Sequence, residues 1–245
     1  MPKIRINKFI ASSGICSRRE ADEYIENGKV KVNGKTVKEP GFSVDDKKDK
    51  VEVDGKLIKP VKLDYYKFYK PAGYITTSDD EKGRKTIYDL LPENLYHLKP
   101  VGRLDKDSTG LIILTNDGEL INQLTHPSVK IPKIYLVRVD KKIPRKDLEL
   151  ISQGVEIEKG KIAYADITVL EMDSESTTMR ITLFQGMNRQ IRKMFEHFGY
   201  EVKSLKRIQH ATITLDGMKR GEFKQLKPKN VKELKSYLSK AQNND

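Results

Sequence analysis

The 245-residue sequence contains a single cysteine, Cys16, and has no long apolar stretch. One cysteine cannot build an internal disulfide framework and fits a reducing compartment. No segment approaches the roughly 18 consecutive apolar residues that a membrane span requires. The start of the chain is basic but lacks the apolar segment of a secretory signal peptide. These absences exclude disulfide scaffolds and membrane-spanning proteins, and they predict a cytoplasmic protein without membrane association.

The sequence also lacks the signatures of metal and nucleotide sites. Its histidines, which show no metal-ligand spacing, are His97, His126, His197 and His210. There is no Gly-x-Gly-x-x-Gly fingerprint and no P-loop. We therefore expect neither a metal nor a cofactor, and an RNA methyltransferase is disfavoured.

Positive charge is what the sequence has in excess. It carries 47 Lys and Arg against 35 Asp and Glu, a formal net charge of +12. Such an excess indicates a polyanionic partner, above all a nucleic acid; a basic protein without a specific partner is the alternative. The 37% of hydrophobic residues is enough for one good core and a smaller second one.

Residues 1–60 show the pattern of two helices followed by hairpins. Ile6, Phe9 and Ile10 recur at helical spacing, and Ser17 with Glu20 forms a capping box that begins a second helix. Tight turns are indicated at Asn33-Gly34 and Asp54-Gly55. The order predicts a small, compact N-terminal module.

This module resembles the RNA-binding domain named after ribosomal protein S4, from Arg5-Ile-Asn-Lys-Phe-Ile through Ser17-Arg-Arg-Glu-Ala to Gly28-Lys-Val-Lys-Val-Asn-Gly34. Cations on a rigid helix pair can neutralise phosphates and release counterions. The resemblance implies RNA binding by the matching basic residues, which are Arg5, Lys8, Arg18, Arg19 and Lys29.

Beyond a predicted linker at residues 61–64, the pattern changes to a larger domain at 65–241, followed by a polar tail at 242–245. Strands are predicted at Leu111–Leu114, Ile134–Val139, Ile162–Leu170 and Met179–Phe184. Helices are predicted near 119–124, 145–151, 188–198 and 231–238. The mixture favours an α+β domain on a mixed, largely antiparallel sheet.

The sharpest local signal is Gly102-Arg-Leu-Asp-Lys-Asp-Ser-Thr-Gly110, which leads into an apolar strand. A carboxylate in a glycine-bounded loop is often only a turn former. The whole string, with Thr115-Asn-Asp-Gly118, closely resembles the catalytic motif of the RsuA-type pseudouridine synthases. These enzymes convert a uridine within RNA to its C-glycoside isomer, and the resemblance places the catalytic aspartate at Asp105.

Two further segments match the same family, Lys133-Ile-Tyr135 and Gly186-Met-Asn-Arg-Gln-Ile-Arg192. The resemblance implies that Tyr135 is the active-site tyrosine and that Arg192 pairs with Asp105. A close guanidinium would keep a carboxylate ionised in a pocket that excludes water. Read alone, Tyr135 fits an ordinary core position and Arg192 a structural ion pair.

Four residues are predicted to bind the substrate, and these are Arg103, Arg189, Leu205 and Arg207; the resemblance implies this role for Arg103. Arg103 would fill the space left by a flipped-out base. Leu205 would pack against the uracil, and Arg207 would join Lys203, Lys206, Lys219 and Arg220 in a basic surface for the RNA backbone.

The sequence therefore predicts a monomeric RNA pseudouridine synthase that acts on a uridine of 23S ribosomal RNA, with a tRNA as a second candidate substrate. Whether Asp105 adds to C1′ or assists glycal formation stays open at this point. The alternative from another class is a non-catalytic RNA-binding or ribosome-assembly factor.

Overall fold

A computed structural model describes residues 3–78 and 80–242 of the chain. The chain divides into two compact units. The first comprises Met1–Asp64 with Asn116–Gly118, and the second comprises Tyr65–Thr115 with Glu119–Asp245. Residues 61–64 have no regular secondary structure. Of the predicted polar tail, Gln242 closes the last helix and 243–245 lie outside the described residues.

The first unit combines a helix pair with short strands. Its helices are α1 (Ile6–Ser12) and α2 (Arg18–Glu26). Its strands are β1 (Ile4–Arg5), β2 (Val30–Val32), β3 (Lys35–Val37), β4 (Ser43–Val44), β5 (Val51–Val53) and β6 (Lys56–Ile58). Strands β3-β2-β5-β6 form an antiparallel sheet, and β1 pairs with β4.

Local sequence signals account for this unit. The predicted capping box is present, since the Ser17 hydroxyl accepts from the Glu20 amide and the Glu20 carboxylate accepts from the Ser17 amide. Asn33-Gly34 has φ of 51° and 82°, the left-handed pair that a tight hairpin requires. Ile6, Ile10, Ala21 and Ile25 are fully buried and form one core with the strand valines.

The second unit is built on a nine-stranded sheet. Its strands, including one separate hairpin, are β7 (Tyr65–Lys70), β8 (Lys99–Pro100), β9 (Thr109–Thr115), β10 (Lys133–Val139), β11 (Val155–Glu158), β12 (Lys161–Ala163), β13 (Asp166–Met172), β14 (Thr177–Leu183), β15 (Val202–His210), β16 (Ile213–Thr214) and β17 (Phe223–Gln225). Its helices are α3 (Gly118–Thr125), α4 (Arg145–Gln153), α5 (Gln190–Glu196) and α6 (Pro228–Gln242), with 3-10 turns at Ile87–Leu90 and Glu93–Leu95.

The sheet runs in the order β13-β14-β10-β15-β9-β7-β17, with β16 added to β15 and β8 to β9. Only the β9–β15 pair is parallel among the described strands, and the other pairs are antiparallel. The prediction of an α+β fold on a mixed, largely antiparallel sheet is therefore confirmed.

Both faces of the central strands are covered. Along β9, Ile112 and Leu114 belong to one hydrophobic core, and Leu111 and Ile113 belong to a second core on the opposite face. Alternate residues of a strand point to opposite faces, so a strand buried on both sides needs a continuous apolar run. This explains why Leu111–Leu114 carries no polar residue.

The predicted strand Ile162–Leu170 is wrong as one element. Residues 164–165 interrupt it, so that β12 pairs with β11 in a separate hairpin and β13 becomes the edge of the large sheet. The helix predicted near 188–198 starts at Gln190, because Arg189 has left-handed backbone angles of φ 50° and ψ 33°. No helix within the described part of the chain is long and apolar enough to span a bilayer.

The parallel pairing of β9 with β15 depends on a glycine. Gly110 has φ +115°, and a Cβ at this position would lie 2.2 Å from the Arg207 carbonyl oxygen. We expect Gly110→Ala to lower the free energy of unfolding by at least about 2 kcal/mol, because it adds backbone strain and a backbone clash. Thermal or denaturant unfolding measures the loss.

Gly217→Ala is the matched control, since Gly217 has φ +68° but open space around its Cβ position. That change should cost only the left-handed strain of about 1 kcal/mol. Equal losses in the two variants would show that the close approach to Arg207 is unimportant.

Candidate active site

The largest concentration of predicted site residues lies around one cavity of the second unit. The cavity has a volume of about 610 Å³. Its walls come from the loop before β9, the segment after α3, and parts of β10, β15 and the loop before α5. The predicted site residues in these walls are Arg103, Asp105, Tyr135, Arg189, Leu205 and Arg207.

The loop that carries Asp105 is held by a buried lysine at the end of β7. The Lys70 side chain is fully buried, and its Nζ donates to the carbonyl oxygens of Ser108 (2.8 Å), Asp105 (2.9 Å), Pro71 (3.1 Å) and Lys106 (3.3 Å). A turn closed by the Ser108 amide and the Asp105 carbonyl completes the loop. One ammonium group thus contacts the loop backbone at Asp105 and at two residues that follow it, Lys106 and Ser108.

Two further contacts hold the same loop from the segment that follows Lys70. The Thr76 hydroxyl donates to the Leu104 carbonyl at 2.9 Å and accepts from the Leu104 amide at 3.2 Å. The Gly73 amide donates to the Lys106 carbonyl at 2.8 Å. The Leu104 amide and carbonyl and the Lys106 carbonyl, on either side of Asp105, are therefore engaged, and the half-buried side chain of Asp105 lines the cavity.

Burial lowers the pKa of Lys70 to about 8, although the charges of Asp105 and Asp107 oppose that shift. The ammonium form still predominates at neutral pH, and it is the form that can donate to several carbonyls at once. Lys70 therefore supplies positive charge near Asp105 while its hydrogen bonds go to the backbone.

Tyr135 and Leu205 line an apolar part of the cavity wall. Tyr135 lies on β10 and Leu205 on the adjacent β15, and each is 8% exposed. Strand alternation explains the position of Tyr135, which shares its face with the buried Val137 and Val139. The flat tyrosine ring and the leucine side chain offer surfaces against which a base can stack and pack.

Arg103 and Arg189 provide exposed cations at the cavity. Arg103 precedes Asp105 by two residues, and Arg189 stands immediately before α5. The left-handed backbone of Arg189 is uncommon for a residue with a side chain. Both side chains are exposed at the cavity, and their contacts with RNA stay a prediction.

The prediction that Arg207 belongs to an exposed basic surface is wrong. Arg207 is 2% exposed, and its Nε donates to the Leu111 carbonyl at 2.7 Å. It lies inside the sheet because β15 pairs on one side with β10 and on the other with β9, where Arg207 is opposite Tyr135 and Gly110. Its side chain still reaches the cavity wall.

Arg192 does not form the predicted pair with Asp105. Its Nη1 donates to the Val202 carbonyl at 2.9 Å, it is absent from the cavity wall, and no ion pair joins it to Asp105. Successive residues of a helix point about 100° apart, so Ile191 and Arg192 point in different directions. Ile191 lines the cavity. Arg192 ties α5 to the first residue of β15.

The predicted RNA-binding residues lie on the first unit. Arg5, Arg18, Arg19 and Lys29 are exposed and Lys8 is half-buried. Arg18 donates to the Asn7 side chain, and Lys29 lies over the Tyr24 ring, 4.0 Å from an Asp54 oxygen. The exposed arginines at the start of α2 are well placed for phosphate contacts.

Sequence reasoning missed Lys70, Thr76, Lys133 and His210. The signal for Lys70 is a lysine at the end of an aromatic strand, directly before Pro71, where a buried charge must be satisfied by hydrogen bonds. Among the described residues, no group of three or more His, Cys, Asp or Glu side chains is placed to hold a metal ion.

Comparison with protein families agrees with this geometry. Residues 64–197 match the RNA pseudouridylate synthase family, and residues 4–51 match the S4 domain. The chain belongs to the RNA pseudouridylate synthase family. This synthase therefore isomerises uridine in RNA and carries an RNA-binding S4 domain, as the resemblance predicted, and the non-catalytic alternative gains no support.

Curated relatives cover most of the synthase. It is 41% identical over 244 residues to ribosomal large subunit pseudouridine synthase B of Bacillus subtilis strain 168, covering 98% of each chain. It is 42% identical over 232 residues to the dual-specificity RNA pseudouridine synthase RluF of Escherichia coli K12, covering 91% of this chain and 75% of that one. A crystal structure of a pseudouridylate synthase aligns with a TM-score of 0.67 at 26% identity, covering 94% and 99% of the two chains.

The Lys70 contacts lead to a prediction for the synthase. We expect Lys70→Met to lower turnover at least about 100-fold, because the loop carrying Asp105 loses the donor that fixes it and small displacements cost large factors in rate. RNA affinity should change little, since Lys70 is not exposed. Single-turnover kinetics and equilibrium RNA binding measure the two effects.

Lys67→Met is the control, because Lys67 lies on the same strand and its Nζ donates to the carbonyls of Thr214 and Asp216 instead. A matching loss of turnover in this variant would indicate a general effect of removing strand lysines. Full activity of Lys70→Met would contradict the role given to the ammonium.

Proposed function

We propose that this synthase converts a uridine of 23S ribosomal RNA to pseudouridine, with Asp105 as the catalytic carboxylate. The observation that carries the proposal is the position of Asp105, which lines the cavity from a loop fixed by Lys70 while Tyr135 and Leu205 line the same cavity. The choice of RNA is supported by the names of the two relatives, one of which acts on the large ribosomal subunit. A tRNA is the second candidate substrate.

The reaction breaks the C1′–N1 bond, turns the uracil, and joins C5 to C1′. The proton on C5 leaves and N1 gains a proton, so that the product is an isomer of the substrate and no co-reactant is consumed. We infer that an ionised Asp105 either adds to C1′ or assists formation of a glycal, and both routes require the carboxylate to be within reach of the sugar.

Tyr135 is proposed to stack on the uracil, with its hydroxyl near the proton that leaves C5. Leu205 would pack against the base on the same side of the sheet. Lys70, rather than Arg192, is proposed as the cation that supports the charge near Asp105, because Lys70 contacts the loop and Arg192 contacts Val202. Arg192 would act as a positioning residue for α5.

A uridine within a stem must leave the base stack before its sugar can reach Asp105. We infer that Arg103, exposed and two residues from the carboxylate, fills the vacated space. Arg189 would contact the backbone nearby. The S4 domain would supply affinity through phosphate contacts that carry no sequence information. The proposed enzyme is a monomer that acts in the cytoplasm.

We expect Asp105→Asn to lower the single-turnover rate at least about 1000-fold while leaving RNA affinity within about threefold, because the change removes the reactive carboxylate and keeps the side-chain shape. Tritium release from RNA labelled at C5 of uridine measures the reaction, and filter binding measures the affinity.

Asp107→Asn is the matched control, since Asp107 is exposed in the same loop and does not line the cavity. It should retain turnover within about threefold. Release of tritium by Asp105→Asn at the wild-type rate would rule out this assignment.

The exposed arginines of α2 lead to a second prediction. We expect the double variant Arg18→Gln, Arg19→Gln to bind RNA more weakly, with a slope of log K against log salt reduced by between about 1 and 2. The single-turnover rate at saturating RNA should stay unchanged, because these side chains serve docking only.

The control is Lys47→Gln, Lys48→Gln, which removes the same charge from an exposed turn of the first unit. An equal change of slope in both double variants would show that net charge, rather than the start of α2, sets RNA affinity.

A further inference from the structure

Three of the side chains that line the cavity are polar and almost completely buried: Ser108, Arg207 and His210 are 1%, 2% and 1% exposed. The Ser108 hydroxyl and the Arg207 Nη2 have no hydrogen-bond partner among the described residues. A buried donor left unpaired costs about 1–3 kcal/mol, and more when it is charged. Both residues line one cavity, which makes a ligand group in that cavity the candidate partner for these donors.

Positive charge at this wall is not balanced by the protein. Lys133 also lines the cavity. Burial, together with the nearby charge of Arg207, lowers the pKa of Lys133 to about 8. Neither Lys133 nor Arg207 forms an ion pair with any carboxylate in the described parts of the chain. The arrangement is therefore a buried arginine beside a half-buried lysine, neither of which has a carboxylate partner.

The carboxylate that lines the same cavity is Asp105, and it forms no ion pair with either cation in the described parts of the chain. His210 is opposite Lys133 in the sheet, and burial, with Arg207 and Lys133, lowers its pKa well below the usual value. The imidazole is thus neutral near pH 7. The contacts that Lys133 and Arg207 do make are with backbone carbonyls, those of Ile131 and Leu111. Each cation keeps further N–H groups for a ligand.

We propose that Arg207, Lys133 and the Ser108 hydroxyl form an anion subsite in the cavity wall, which binds a phosphodiester next to the flipped uridine. The subsite rests on the proposed function, because it assumes that RNA enters this cavity. A uracil carbonyl could accept a hydrogen bond here, but a neutral base would leave the charges of buried Arg207 and half-buried Lys133 unbalanced. A phosphate supplies both the charge and several acceptor oxygens in the geometry that a guanidinium fits.

This subsite differs in purpose from the exposed cations. Exposed lysines and arginines hold the RNA backbone at many interchangeable points. Arg207 and Lys133 would together bind one phosphate. Because phosphate contacts set the register of the bound strand, this contact would determine which nucleotide lies beside Asp105. The effect of removing charge from the RNA should therefore be concentrated at a single linkage.

The test uses the full chain and a fragment of large-subunit ribosomal RNA that the protein binds and that contains the mapped target uridine. Each of the two phosphodiesters flanking this uridine is replaced in turn by an uncharged methylphosphonate, and equilibrium binding is measured with the Asp105→Asn protein to prevent turnover. We expect one replacement to weaken binding at least about tenfold. In the double variant Asp105→Asn, Arg207→Gln, the same replacement should weaken RNA binding less than about twofold. In the double variant Asp105→Asn, Lys133→Gln, the loss of affinity should lie between these two values.

Lys206→Gln is the matched control, because Lys206 is the neighbour of Arg207 on β15 but does not line the cavity. This variant removes the same charge, and the methylphosphonate should still weaken its RNA binding about tenfold. Arg207→Lys keeps the charge, so the methylphosphonate should still weaken its RNA binding, but by less than about tenfold. Should Arg207→Gln fail to fold, the partly exposed Lys133 carries the test through Lys133→Gln.

Equal sensitivity to the methylphosphonate in Asp105→Asn, Arg207→Gln and Lys133→Gln backgrounds would overturn the subsite, and so would an absence of any effect at both linkages. Failure of the proposed function is seen separately, as an absence of pseudouridine in the unmodified fragment after incubation with the wild-type protein.

Discussion

The buried ammonium of Lys70 is the constraint on which the active-site region depends. A charged group with no solvent contact is tolerated only when it is fully hydrogen-bonded, and here all of its bonds go to the chain segments 71 and 105–108. Any displacement of the loop would leave the ammonium unsatisfied. The loop and β7 therefore hold each other in place, and these backbone contacts position the side chain of Asp105 at the cavity.

The parallel contact of β9 with β15 extends this arrangement across the sheet. Gly110 allows the two strands to approach closely enough for Arg207 to lie beside it, and Arg207 is in turn opposite Tyr135 on β10. The residue row Gly110, Arg207 and Tyr135 thus connects the strand that follows the Asp105 loop with the strand that carries the tyrosine. Hydrophobic cores cover the sheet on both faces.

The sequence predicted the features that depend on local patterns. The capping box at Ser17, the Asn33-Gly34 turn and the buried strand at Leu111–Leu114 are each set by a few neighbouring residues, and the structure confirms them. The family motif likewise located Asp105, Tyr135 and Leu205, which line one cavity although they are far apart in the chain.

The features that sequence reasoning missed depend on long-range packing. Lys70 and Arg207 look like ordinary basic residues until β7, β9 and β15 are paired, and only that pairing buries them. The Arg192 side chain is directed to the Val202 carbonyl, a contact that exists only when α5 packs beside the start of β15. The periodicity of the sequence shows neither that Lys70 and Arg207 become buried nor which group the Arg192 side chain contacts.

The central claim is that Asp105, held by this buried lysine, isomerises a uridine of ribosomal RNA. Its most direct test is a map of pseudouridine in the large-subunit ribosomal RNA of a strain that lacks the protein. The account predicts that one uridine loses its modification, and that the wild-type protein restores it whereas Asp105→Asn does not. An unchanged map, or restoration by Asp105→Asn, would contradict it.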